Sequence, residues 1–138
     1  MGSGYFSLPI KPELQCECNQ KGEWFLRELY DEPSPLRIPS DLLALFPWLE
    51  MDWSDFQILF QERIPESWQQ SFPLHALIQY PFSLKMEYWA DLALTWIVDA
   101  GWVEILRPWA ETLDQTWMPQ SLQHKFWRIM KPTRKLSE

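Results

Sequence analysis

A chain of 138 residues in which 46% are hydrophobic and 22% charged carries the apolar material of one folded domain, which excludes a disordered polypeptide. Two cysteines exclude a disulfide scaffold, and four glycines, two of them in the first four residues, exclude a Gly-rich phosphate cradle. The net charge of −7 is uneven: residues 125–138 hold five bases and one acid, net +4, while the other residues hold seven bases and eighteen acids, net −11, which repels phosphate backbones and anionic lipid over most of the surface.

In chain order, residues 1–21 contain Pro9 and Pro12 and little periodicity, the pattern of an extended, loosely held arm. Residues 22–30 place Trp24, Phe25 and Leu29, with Leu26 as a further candidate, on one side, which suits a short helix or strand. Pro33, Pro35 and Pro39 make residues 31–40 a linker. The expected organisation is an N-terminal arm and Pro-rich linker over 1–39, a compact helical domain over 40–132 and a basic frayed tail over 133–138.

Within the body, Ser40 is a good N-cap, with Asp41 in the first turn, and Leu42, Leu45, Phe46 and Leu49 have helical spacing broken at Pro47. Asp52 followed by Trp53, Phe56, Phe60 and Ile64 predicts a helix over 53–63. Pro65 opens a helical turn to residue 70. Pro73 opens a short helix carrying Leu74, Leu77 and Ile78, and Tyr80-Pro81-Phe82 reads as a tight turn.

The longest proline-free stretch then predicts a central helix over 83–100. Leu84, Tyr88, Leu92 and Trp96 form one ridge, and Trp89, Ala93, Ile97 and Ala100 a second. Ser83, Glu87, Asp91, Thr95 and Asp99 form the one polar stripe, so Leu92 and Trp96, across from it, are expected to be buried. Gly101 suits the left-handed position after a helix, and Trp102, Val103, Ile105 and Leu106 predict a short strand that Pro108 ends. A short helix over 108–115 follows. Pro119 opens the last helix, with Leu122, Phe126, Ile129 and Met130 on one face and Lys125, Arg128 and Lys131 on the other.

Few residues carry chemistry. Cys16-Glu17-Cys18 offers two thiolates, but a tetrahedral zinc site needs four ligands and only His75 and His124 remain, each alone; no metal and no cofactor is expected, and the pair reads as incidental and solvent-facing. Acids every four residues on a helix are ordinarily a solvated face, and paired catalytic carboxylates need a cleft that the spacing does not supply. Hydrolase, P-loop, Rossmann, zinc-protease and EF-hand motifs are absent from the sequence.

The order helix 53–63, short helix 73–79, turn, long helix 83–100, strand resembles a winged helix-turn-helix over about residues 52–106. The resemblance implies that the third helix reads the DNA major groove. The exposed stripe of that helix, Ser83, Glu87, Asp91, Thr95 and Asp99, has no base to meet phosphate or guanine, so a protein-binding version fits better. A plain helical bundle is equally open.

The expected fold is thus a mostly α, small single-domain bundle, winged-helix-like in order, with a short β element near residues 102–106. Ten Trp exceed what one such core easily hides, which places some of them at a contact surface. The expected function is a non-catalytic module binding another protein through Glu87, Asp91, Asp99, Trp109 and Trp117. The alternative is nucleic-acid binding through Lys125, Arg128 and Lys131, with Trp127 available for stacking; a further alternative is a small enzyme using the acidic stripe. No leader and no membrane span is legible, so a cytoplasmic protein is expected, and the composition is compatible with a homo-oligomer.

Overall fold

The computed structural model describes residues 5–131, in which six helices and a 3-10 segment pack against a small antiparallel sheet. The sheet comes first in the chain. Strands β1 (Tyr5–Lys11), β2 (Leu14–Asn19), β3 (Trp24–Glu28) and β4 (Ser34–Pro35) form a meander in sequence order. Leu8 opposes Cys16, Cys16 opposes Leu26, and Cys18 opposes Trp24. Leu8, Cys16 and Cys18 are completely buried in the hydrophobic core.

Two expectations are corrected by this sheet. Residues 5–19 are not a loosely held arm, because alternation puts Phe6, Leu8, Ile10, Cys16 and Cys18 against the core, and the element expected at 22–30 is strand β3, with Trp24 and Leu26 on the same side. Proline obscured the signal: Pro9 lies on the outermost strand, where a missing N–H removes no ladder bond. Nor is the cysteine pair solvent-facing. The spacing i, i+2 puts both thiols on the inner face of β2, where burial pushes Cys18 up to about 11. Cys16 is pushed higher still, by burial first and then by Cys18 and Glu17.

The opposite face of the sheet holds a charged residue. Glu17 is only 4% exposed. Its Oε2 accepts from Arg27 Nε at 2.9 Å and from Ser7 Oγ at 3.3 Å, while Oε1 has no hydrogen-bond partner among the described residues. Tyr5 and Phe25 meet edge to face beside it, with centroids 5.5 Å apart, and the Arg27 guanidinium lies 5.8 Å from the Tyr5 ring. The free edge of β1 is also covered: Trp48 Nε1 donates to the Pro9 carbonyl at 2.8 Å, and Arg63 Nη1 to that of Ser7 at 3.5 Å.

The 3-10 segment (Ser40–Glu50) runs through Pro47 instead of breaking there. It buries Leu42, Leu45, Phe46, Trp48 and Leu49, and that packing holds an eleven-residue run in a form normally short. Helix α1 (Trp53–Arg63) and the turn α2 (Glu66–Gln69) stand where the spacing and Pro65 put them. Helix α3 (Leu74–Ser83) carries Pro81 inside it, so Tyr80-Pro81-Phe82 is not a turn. The reversal comes at Leu84 to Met86, with Lys85 at φ 58°, and α4 (Glu87–Asp99) begins after it. The buried line of α4 is Ala90, Ala93, Leu94, Trp96 and Ile97. Trp96 is buried as expected, but Leu92 is only half-buried and Leu84 and Tyr88 are exposed. The core lies toward the second expected ridge, where Ala93 and Ile97 are buried, and away from the first.

Gly101, at φ 76°, ends α4 as expected, with Trp102 N donating to Ile97 O at 2.9 Å. The strand expected at residues 102–106 is instead the start of helix α5 (Val103–Ala110). Val103, Leu106 and Ala110 recur at helical spacing and Leu106 and Ala110 are buried, which outweighs the β propensity of Val103 and Ile105. Helix α6 (Gln120–Met130) follows Pro119 and buries Leu122, Phe126 and Met130. Residues 133–138, expected as a basic frayed tail, lie outside the described residues. No helix among the described residues is long and apolar enough to cross a membrane.

Candidate binding groove

Nine of the ten Trp are inside or partly inside the core; Trp48 and Trp96 are buried, seven are half-buried, and Trp127 alone is exposed, at 55%. The surplus rings therefore widen the core more than they coat the surface. A continuous run of contacts links Trp24, Phe60, Phe56, Trp96, Trp53 and Trp102 at centroid distances of 4.9 to 6.2 Å. Where this run reaches the surface it forms the wall of a groove of about 690 Å³.

Three elements build the groove. On α1, Trp53, Gln57 and Gln61 follow at i, i+4 and i+8, so they form one ridge beside the buried Phe56 and Phe60. Gln69 and Gln70 close one end. His75 stands on the first turn of α3, and Trp102 is brought against it by the left-handed reversal at Gly101. Trp102 meets His75 at 4.8 Å and Trp53 at 4.9 Å, with ring planes at 72° and 65°.

No Asp, Glu, Lys or Arg lines the groove, and its one titratable side chain is His75. Gln69 Nε2 donates to Ile64 O at 2.8 Å. The side-chain amides of Gln57, Gln61 and Gln70 and the indole N–H groups of Trp53 and Trp102 make no hydrogen bond to another described residue. The surface can stack on a ligand, donate hydrogen bonds to it from the indoles and amides, and accept them at the Gln amide oxygens. It has no Ser, Thr or Cys nucleophile and no second titratable group to pair with His75.

The residues singled out from the sequence lie elsewhere. Glu87, Asp91 and Asp99 are exposed along α4. Asp91 is ion-paired with Lys125, whose Nζ also reaches Thr95 Oγ1 at 3.0 Å and the Asp91 carbonyl at 3.3 Å. Part of the acidic stripe is thus joined to the basic face of α6. Trp109 and Trp117 are half-buried and pack edge-on against Phe82, at 5.3 and 6.4 Å. Arg128, Lys131 and Trp127 are exposed. Trp127 and Lys131 border a smaller apolar groove of about 260 Å³ beside Ala110, Phe126 and Met130. Among the described residues no group of three or more His, Cys, Asp or Glu is placed to hold a metal ion.

Sequence reasoning missed the groove because its members are scattered over residues 53–102. One signal was legible: the ridge Trp53-Gln57-Gln61 is polar without charge, in a helix whose other polar positions include Asp55, Glu62 and Arg63. Compared with protein-family models, with curated proteins and with solved structures, the chain matches none of them.

Proposed function

We propose that this chain is a non-catalytic protein-interaction module that engages its partner in the groove between Trp53, Gln57 and Trp102. The observation that carries the reading is a concave, uncharged surface with unused donors beside half-buried aromatic rings, the composition of a binding site for a neutral segment. Exposed Glu87 and Asp99 on α4 add a second contact that steers a partner by charge. The free, buried thiols of Cys16 and Cys18 fit a cytosolic protein. The winged-helix resemblance contributes only the order of α1, α3 and α4; acids on α4 oppose its use on DNA.

The test is selection from a displayed random-peptide library, with counter-selection on Trp102→Ala. The expected outcome is enriched peptides that bind the wild type and lose binding both to Trp102→Ala and to the fully surface-compatible Gln57→Lys. A library that enriches nothing, or only peptides indifferent to both substitutions, sinks the reading.

The exposure of Trp127 beside Arg128 and Lys131 supports the alternative, nucleic-acid binding through α6. The ion pair of Lys125 with Asp91 weakens it by removing one base. A salt titration with mixed-sequence DNA and RNA discriminates: submicromolar binding near physiological ionic strength, abolished by Arg128→Glu/Lys131→Glu, would replace the protein-module reading with this one.

A further inference from the structure

We propose that the groove takes a proline-rich segment of the partner in the polyproline II conformation. The proposal rests on the protein-module reading and names the chemistry of its ligand.

Hydrogen-bonding complementarity selects this occupant. Each proline lacks an N–H, so a proline-rich backbone presents carbonyl acceptors without donors of its own. The groove presents a donor-rich set: the indole N–H groups of Trp53 and Trp102 can only donate, and each of the amides of Gln57, Gln61 and Gln70 has two N–H donors beside its one oxygen. The pyrrolidine rings add apolar edges that pack on aromatic faces, and the nearly perpendicular rings of Trp53, Trp102 and His75 turn faces in more than one direction.

Charge excludes the ionic competitors. A phosphate, a carboxylate or a lysine seated here would lose water without gaining an opposite charge, because the lining has no Asp, Glu, Lys or Arg. Sugars stack on rings too, and the Gln amide oxygens can receive their hydroxyls, so a sugar is the competitor that the experiment must include. Size agrees with a short motif. The ridge from Trp53 to Gln61 rises about 12 Å along α1, the length of about four polyproline II residues. A preformed polyproline helix loses little conformational entropy on docking, which matters for a shallow groove with few deep contacts.

The experiment is a titration of the ¹⁵N-labelled protein with blocked decaproline, a blocked Gly-Ser decapeptide and cellohexaose, followed by NMR of the indole and side-chain amide signals. Decaproline should shift the indole signals of Trp53 and Trp102 and leave that of Trp127, which is outside the groove, in place. Loss of one donor in Trp102→Phe or Gln57→Ala should weaken decaproline about two- to tenfold, with the folded spectrum otherwise retained. The proposal is overturned by no shift at millimolar decaproline, by an equal response to the Gly-Ser peptide, by cellohexaose shifting the same signals instead, or by binding that shifts Trp127 alone. Displayed peptides that lack proline yet compete at Trp102 would overturn it while leaving the module reading intact; cellohexaose binding with no peptide binding removes both.

Discussion

Replacing Gly22 by alanine tests how the sheet is seated on the helical body. Gly22 has φ 83°, inside a turn where its N–H donates to Asn19 O at 3.1 Å. A Cβ there would stand 2.8 Å from Trp68 Cε3 and 3.2 Å from Cζ3. The left-handed backbone costs an L-residue about 1–2 kcal/mol. Forcing the ring aside adds about 1–3 kcal/mol, since overpacking moves neighbours as well. The Trp68 ring packs against the core, and the backbone that carries it is held where its carbonyl accepts from Ser71 Oγ at 2.6 Å, so the ring resists the displacement. The expected loss is therefore about 2–5 kcal/mol. Gly101→Ala supplies the control: its φ is 76°, but a Cβ there meets nothing within 4 Å, so only the backbone part, about 1–2 kcal/mol, applies. Urea unfolding of both variants at constant m isolates the difference. If Gly22→Ala matches Gly101→Ala within about 0.5 kcal/mol, in line with ordinary surface sites, the hairpin does not press on Trp68 and the seating described here is wrong.

Other perturbations bear on separate parts of the fold. Leu94→Ala should cost about 2–5 kcal/mol and clearly more than Leu92→Ala, because Leu94 is fully buried and Leu92 is not; equal losses in calorimetry would put the core back on the expected ridge. Arg27→Met should lose more stability in urea than Glu17→Met/Arg27→Met, by about 1 kcal/mol or more, since only the single variant leaves a buried carboxylate without its cation; the reverse order would mean Glu17 is well solvated. Cys16 and Cys18 should resist a thiol reagent at pH 8 in the native protein and react after unfolding, and rapid native labelling would contradict their burial. Their raised pKa values also set a pH window. Unfolded thiols ionise from about pH 8.5 while the native ones stay protonated, so the native state holds more protons and stability falls as pH rises from there toward about 11; Cys16→Ala/Cys18→Ala should flatten that fall, and an unchanged slope would assign it to other groups.

Legibility followed the size of the local signal. Helix α1 was readable because Trp53, Phe56, Phe60 and Ile64 are apolar at helical steps of three and four and proline stands on the far side of Ile64. The start of α6 was readable from Pro119 for the same reason. Residues 102–106 misled because Val103 and Ile105 favour strands in isolation, while the deciding factor, the packing of Leu106 and Ala110 in the core, depends on distant residues. Pro47 was read as a break or kink and Pro81 as part of a turn, yet each lies inside a helical segment, with Phe46, Trp48 and Phe82 buried beside them. The meander was hidden by Pro9 and Pro12 and by the small size of Cys16 and Cys18 as core residues. The groove was least legible, since Trp102 reaches the groove that Gln57 lines only through the reversal at Gly101.

The covered edge and inner face of the sheet also constrain the order in which the protein can assemble as it is made. The carbonyl of Pro9 waits for the indole of Trp48, 39 residues later, and Trp24 for Ser71, 47 residues later. Trp24 also packs on Phe72 at 4.8 Å. At about 5–20 residues per second of synthesis, the last of these partners is made roughly 2 to 9 s after β3 is complete. During that time the apolar side of the meander, including two thiols, is open to whatever the nascent chain encounters. Survival of the newborn chain thus depends on its least regular part, the 3-10 segment and the turn at residues 66–72, arriving in time to shelter its most regular one.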